Sequence, residues 1–124
     1  MLTVTISDQL GNQMFAYASV KTIAQNRGES FGFVRAKNNL INDTDKQYGN
    51  EIHTIFPNTK AEFLTELPTA ITHTWEEPPL KERTANYQPS ALTVPENTLM
   101  KGHFISCRNF WKNRSQVQKW FSFP

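Results

Sequence analysis

The residues with the clearest chemical potential form a polar, glycine-containing turn that leads into a predicted helix. The turn runs from Ser7 to Gly11, and Asn12 and Gln13 follow it. Backbone N–H groups at a helix N-terminus lack intrahelical acceptors, and the helix dipole adds partial positive charge there. Such a turn suits a phosphate or another anion. It matches neither the Walker loop nor the Gly-x-Gly-x-x-Gly dinucleotide pattern, so an ordinary capped helix remains the alternative.

The elements around this turn predict a β-α-β unit with a right-handed crossover. Apolar residues alternate with threonines in Leu2–Ile6, which predicts a strand. Residues 13–27 lack Gly and Pro and predict a helix, with Asn12 as its N-cap and Gly28 as a left-handed stop. Residues 31–34 predict the second strand. The fold class expected from this pattern is α/β with a mostly parallel sheet.

Three stretches follow from this pattern: the β-α-β unit in residues 1–34, an irregular excursion in 35–97, and a further strand with the start of a helix in 98–124. The middle stretch is polar and then proline-rich, and repeated prolines block helices and central strands. An apolar island at residues 52–56 predicts a loop with a short helical or turn segment within it. In the last stretch the strand is expected over 98–105.

The amino-acid sequences of two segments resemble those of a known enzyme family. Residues 10–18, LGNQMFAYA, directly follow the turn after the first strand. They resemble the N-terminal signature of the α-1,2-fucosyltransferases, glycosyltransferase family eleven. Residues 97–106, NTLMKGHFIS, with the aromatic residues after them, resemble that family's Gly-Tyr-Phe-Gln-Ser strand and its following helix. The matching segments lie towards the two ends of the chain, and the residues between them match the family poorly.

The resemblance implies a Rossmann-like N-terminal half of a two-domain, GT-B-type glycosyltransferase. The implied reaction transfers L-fucose from GDP-fucose to the 2-hydroxyl of a galactose-terminated glycan acceptor, with inversion and without an obligatory metal. GDP-L-fucose is the donor substrate, and no further cofactor is implied. Gly11, Asn12 and Gln13 are the implied donor-binding residues. Gly11 would permit close backbone approach, and the Asn12 amide would orient the loop or the donor.

Departures from the family pattern bear on activity. Asp8 and Gln9 stand where the family usually has glycines, and His103 and Ile105 replace its Tyr and Gln. The cationic His-x-Arg-Arg-x-Asp motif is absent, because the chain contains no Arg-Arg pair. We therefore expect an absent C-terminal domain to be a partner and the isolated chain to be inactive or nearly so. The alternatives are a non-catalytic truncated remnant and a small binding module.

The positive, aromatic C-terminal segment permits a different function. The formal net charge of the chain is only +2, but residues 101–124 contain five basic residues and no acidic one. Charge and ring stacking could bind single-stranded nucleic acid. We favour an amphipathic helix whose rings pack inward, and so expect no nucleic-acid partner. The residues concerned are Arg108, Lys112 and Arg114 with Phe110, Trp111, Val117, Trp120 and Phe121.

Other polar residues indicate little chemistry. The three histidines show no metal-ligand spacing with one another or with Cys107, so no metal site is expected. Glu76 and Glu77 precede two prolines, which indicates a solvated loop rather than a catalytic pair. The chain shows neither a signal peptide nor a membrane span. A cytoplasmic location is expected, with membrane association only through the complete enzyme.

Overall fold

The computed structural model describes residues 1–7, 9–36, 51–78 and 88–123. The expectations for Asp8 and for the polar residues before Glu51 lie outside these ranges. The described residues form an α/β fold around a five-stranded sheet in which every pairing is parallel. The predicted fold class is confirmed at this level.

The sheet has the strand order β3-β2-β1-β5-β4. Its centre is β1, which pairs with β2 on one side and β5 on the other, so that Val4 lies opposite both Phe33 and Met100. All three of these side chains are fully buried. The strands are β1 (Leu2–Ile6), β2 (Phe31–Arg35), β3 (Phe63–Leu64), β4 (His73–Glu76) and β5 (Thr98–Lys101).

Three α-helices and four 3₁₀ segments accompany the sheet in the described ranges. The α-helices are α1 (Leu10–Asn26), α2 (Ile52–Ile55) and α3 (Arg114–Trp120). The 3₁₀ segments are Pro57–Glu62, Pro89–Thr93, Cys107–Asn109 and Trp111–Asn113. None of the helices in this part of the chain is long and apolar enough to cross a membrane.

The order of β1, α1 and β2 and their parallel pairing confirm the N-terminal β-α-β prediction, except for the start of the helix. α1 begins at Leu10, and the N-cap position is Gln9, whose side chain makes no capping hydrogen bond. The prediction that Asn12 caps the helix is therefore wrong. Leu10 packs against the core, so the helix gains a buried contact by starting earlier. Gly28 ends the helix at a φ of 70°, as predicted.

The stretch predicted to be irregular contributes two short strands, which corrects that prediction. β3 pairs with β2 and β4 pairs with β5, and both lie at the edges of the sheet. Prolines are excluded from central strands, but β3 and β4 are edge strands, so the prolines near them in the sequence do not prevent them from forming. β3 approaches closely because residue 32 is glycine: a Cβ there would lie 2.6 Å from the Leu64 side chain. The short helix predicted near residues 52–56 is confirmed as α2.

The C-terminal elements are shorter than predicted. β5 ends at Lys101 rather than near residue 105, and Phe104 adopts a left-handed φ of 54°. Two 3₁₀ segments precede α3, so the α-helix begins only at Arg114. The side-chain amide of Asn113 donates a hydrogen bond to the Thr22 hydroxyl at 3.2 Å, which fixes the segment before α3 to α1.

Tyr17 lies at the centre of the core and is fully buried. Its hydroxyl donates to the Glu62 carboxylate, which also accepts a hydrogen bond from Lys21 at 3.1 Å. Burial, followed by the neighbouring Glu62, raises the pKa of Tyr17 far above its ordinary value. The Tyr17 ring contacts Phe31, Phe33, Trp120 and Phe121 at centroid distances of 5.2, 5.4, 6.0 and 5.5 Å.

The Tyr17→Phe variant should be less stable than the wild type by about 1.5–3 kcal/mol, because it keeps the ring but loses the hydrogen bond to the Glu62 carboxylate and the one from the Lys21 ammonium. Tyr17→Leu should be less stable still, since it loses the ring contacts as well. Chemical denaturation followed by circular dichroism measures both. Equal stability of Tyr17→Phe and Tyr17→Leu would show that the ring contacts do not hold the core together.

Candidate functional site

The candidate site lies at the carboxyl ends of β1 and β5. The chain runs outward from β1 to β2 and β3, crosses to β4, and returns as β5 beside β1. In open parallel sheets, ligands bind where the strand order reverses in this way, in the crevice outside the carboxyl ends. In this fold, the start of α1 and the loop 102–106 follow the carboxyl ends of β1 and β5, so the rule points to the space between them. The predicted site residues Gly11, Asn12 and Gln13 therefore stand at this edge of the sheet.

Gly11 is exposed in the first turn of α1. No atom lies within 4 Å of the position that a Cβ on Gly11 would occupy, and its backbone does not have the positive φ that favours glycine. Glycine within a helix costs roughly 0.5–1 kcal/mol relative to alanine. Neither the conformation nor the packing of the described residues accounts for glycine at this position.

Asn12 and Gln13 differ in their surroundings. Asn12 is half-buried, and its side-chain amide makes no hydrogen bond within the described ranges. Gln13 is only 4% exposed, and its Oε1 accepts a hydrogen bond from the Ile52 backbone N–H at 3.1 Å. Gln13 thus ties α1 to α2, a structural contact that the sequence did not indicate. Its predicted donor contact stays a prediction.

Across the crevice, the loop after β5 is held by a carboxylate. Glu77 follows β4, and its Oε1 accepts hydrogen bonds from the backbone N–H groups of His103 at 3.1 Å and Phe104 at 3.4 Å. Two successive N–H groups beside a left-handed residue form an anion-binding concavity. Gly102 allows the approach, because a Cβ there would lie 2.6 Å from the Glu77 Cβ. The prediction of a solvated loop is wrong for both residues: Glu76 is exposed but is the last residue of β4, and Glu77 binds the loop after β5.

A second charged group lies at the end of β2. The guanidinium of Arg35 binds both carboxylate oxygens of Glu51, with Nε 2.6 Å from Oε2. The ring of His53 stacks on Phe63 at a centroid distance of 3.8 Å. Burial lowers the pKa of His53 below its ordinary value, although the nearby Glu51 opposes the effect. This group stabilises the junction of β2, β3 and α2. Sequence reasoning missed it because its members are distant in the chain.

The histidines and Cys107 are spread over the molecule. His53 is packed against Phe63, His73 is exposed at the start of β4, and His103 follows β5. Cys107 is exposed with a free thiol. Within the described ranges, no group of three or more His, Cys, Asp or Glu side chains could hold a metal ion.

The aromatic C-terminal segment packs inward only in part. Trp120 is 7% exposed, and Phe110 lies against Phe15 at a centroid distance of 5.9 Å. The prediction that Trp111 also packs inward is wrong, because this side chain is 56% exposed. The guanidinium of Arg114 lies 4.9 Å from the Trp111 ring centroid. Trp111 therefore remains open to solvent beside Arg114, and Phe123 is a second exposed ring of the segment, at 66%.

No protein-family model matches the chain, and no curated protein or solved structure matches it either. The motif residues and their position in the fold are therefore the basis for inferring a function.

Removing the Glu77 carboxylate should loosen the loop after β5. Glu77→Ala should lower the free energy of unfolding by about 1–3 kcal/mol, because two backbone N–H groups lose their acceptor. The matched control is Glu76→Ala, which removes an exposed neighbouring carboxylate and should change stability by less than about 0.5 kcal/mol. Chemical denaturation compares the two. Equal effects would contradict a specific role for Glu77.

His53 should make the fold sensitive to mild acid. Its pKa in the folded chain is lowered from 6.5, so the unfolded chain binds the proton more readily. The contribution of neutral His53 is complete above pH 6.5 and declines as the pH falls below it. Denaturation measured across this pH range should show a shallower decline in His53→Gln. His73→Gln, at an exposed site, should follow the wild type, and an unchanged slope in His53→Gln would refute the prediction.

Proposed function

We propose that this chain is the N-terminal α/β half of a two-domain, GT-B-type α-1,2-fucosyltransferase. The complete enzyme would transfer L-fucose from GDP-fucose to the 2-hydroxyl of a galactose-terminated acceptor glycan. The proposal rests on the resemblance of residues 10–18 and 97–106 to that family. The observation that carries it is the open, unexplained glycine at position 11, at the start of α1.

Gly11 is best explained by a ligand that approaches the backbone. A helical glycine with free space around it reduces stability and brings no packing advantage. A glycine is favoured, however, where a diphosphate must come within hydrogen-bonding distance of main-chain N–H groups. The first such group of α1 with an intrahelical acceptor is that of Gln13, which donates to the Gln9 carbonyl at 3.2 Å. The preceding N–H groups have no acceptor within the helix.

The first turn of α1 suits an anionic leaving group, and the negative charge of Asp8, two residues before the helix in the sequence, opposes it. The first turn of α1 contains no acidic side chain. In the proposed reaction the acceptor 2-oxygen bonds to C1 of fucose while the bond from C1 to the diphosphate oxygen breaks. GDP leaves with the electron pair, and the hydroxyl proton passes to a base or to water. Fixed N–H dipoles lower the barrier because negative charge grows on the diphosphate as the bond breaks.

Further cations would come from the second domain. The family motif with paired arginines is absent from the chain. The isolated chain should therefore bind the donor weakly and should not turn it over. A non-catalytic remnant would keep the same fold without any donor affinity, so binding separates the two possibilities before any activity is measured.

Gly11→Ala should change stability and donor binding in opposite directions. The variant should be more stable by about 0.4–1 kcal/mol, because alanine fits the open helical position and restricts the unfolded chain. It should bind GDP-fucose more weakly, because the methyl group stands where the diphosphate approaches. Denaturation gives the first quantity. Amide shifts in a titration with millimolar GDP-fucose, followed by NMR, give the second.

A pair of asparagine substitutions provides the control. Asn12→Ala should weaken the GDP-fucose response, whereas Asn58→Ala, at an exposed asparagine in the 3₁₀ segment Pro57–Glu62, should not. The shifted amides should be those of the first turn of α1 and the loop 102–106. A folded wild-type chain without any response, or equal losses in Asn12→Ala and Asn58→Ala, would overturn the proposed donor site.

A further inference from the structure

A cleft of about 500 Å³ lies beside the second half of α1, away from the motif. Thr22 and Asn26 form its α1 wall, Leu92 contributes an apolar edge, and residues 108–113 form the opposite side. Thr22 is 11 residues after Gly11, or about 16 Å along the helix axis at 1.5 Å per residue. The cleft is thus separate from the candidate donor site. Its volume falls within the range of small-molecule sites.

The cleft exposes polar groups that nothing within the described ranges uses. The Lys112 ammonium, the Asn26 amide and the Trp111 indole N–H make no hydrogen bond or ion pair there. By contrast, the Asn113 amide is engaged by Thr22 at 3.2 Å, which holds the far wall in place. A fixed wall with unused donors is typical of a site that takes an acceptor-rich ligand.

The charge of the cleft is positive. Arg108 and Lys112 line it, and none of its lining residues is acidic. Arg114 adds a third cation at its rim, held over the Trp111 ring. Lysine and arginine side chains bind phosphate and sulfate oxygens through charge-assisted hydrogen bonds. The preferred ligand therefore carries a tetrahedral oxyanion.

Among the residues that line the cleft, Trp111 is the exposed ring, and it sets the size of the ligand; Phe123 is 66% exposed but does not line the cleft. Trp111 is 56% exposed, whereas Phe110 packs on Phe15 and Trp120 lies in the core at 7% exposure. Single-stranded nucleic acids bind along successive stacking rings and a continuous cationic groove. One exposed ring with an asparagine amide opposite instead suits one sugar ring, which presents an apolar face and hydroxyl groups.

We propose that this cleft binds a sugar carrying a phosphate or sulfate ester. The sugar ring lies on Trp111, its ester contacts Lys112 and the neighbouring cations, and its hydroxyls meet the Asn26 amide. A sugar phosphate and a sulfated glycan share this chemistry. The site depends on a different part of α1 from the donor site and stands independently of the transferase proposal.

The test is an NMR titration of the chain with glucose 6-phosphate and, separately, galactose 6-sulfate. The indole N–H signal of Trp111 should shift, and those of Trp75 and Trp120 should not. Trp111→Ala and Lys112→Ala should each weaken binding about tenfold, the scale of one stacked ring or one charged hydrogen bond. The matched control is Lys119→Ala, an exposed lysine outside the cleft, which should leave affinity unchanged.

The ester that binds more tightly shows whether the site takes a sugar phosphate or a sulfated glycan. Binding of either ester should weaken as salt is added. Three results would overturn the proposal: neutral galactose binding as well as the esters, equal losses in Lys112→Ala and Lys119→Ala, or no Trp111 shift at millimolar ester. Tighter binding of a short oligodeoxythymidine than of either ester would replace it with nucleic-acid recognition. GDP-fucose is also a sugar phosphate ester, so the two sites are told apart by which signals shift: the amides of the first turn of α1 report the donor site, and the Trp111 indole reports the cleft. The two proposals can therefore fail separately.

Discussion

The packing of Tyr17 is the interaction on which the rest of the fold depends. Its ring contacts β2 through Phe31 and Phe33 and reaches the C-terminal helix through Trp120. Its hydroxyl binds Glu62, which belongs to the 3₁₀ segment just before β3. One residue of α1 therefore joins three segments that are far apart in sequence. Because an aromatic side chain buries a large apolar area, this position stabilises the helix on the sheet and orients its N-terminus at the crevice.

The backbone N–H groups at the carboxyl edge of the sheet differ in whether they already bind a side chain. After β5, the backbone N–H groups of His103 and Phe104 already hold the Glu77 carboxylate. After β1, the first turn of α1 presents N–H groups beside the open position of Gly11. A diphosphate that bound after β5 would have to displace an internal carboxylate, whereas one that bound at α1 would displace only solvent. The difference favours α1 as the donor side of the proposed site.

Local sequence patterns predicted the centre of the fold but not its edges. β1, α1 and β2 follow from alternation, from a stretch without Gly or Pro, and from Gly28, because each signal lies within the element itself. β3 has only two residues, and its pairing depends on Gly32, which lies about thirty residues earlier. The Asn12 cap was mispredicted because capping preference is worth about 1 kcal/mol, which the burial of Leu10 can exceed. The Glu77 contact had no local signal, since its partners are 26 and 27 residues away.

The two ends of α1 show how one helix can support two kinds of recognition. At its start, the free N–H groups and the dipole favour an anion without any basic side chain. At its other end, the dipole is negative, so an anion there needs side-chain cations to outweigh it. The chain supplies them from residues 108–114, which Asn113 fixes to Thr22 and Gln25 of the same helix. The acid-free composition of residues 101–124 is therefore consistent with a local electrostatic requirement at the cleft, because any carboxylate added there would reinforce the negative end of the helix.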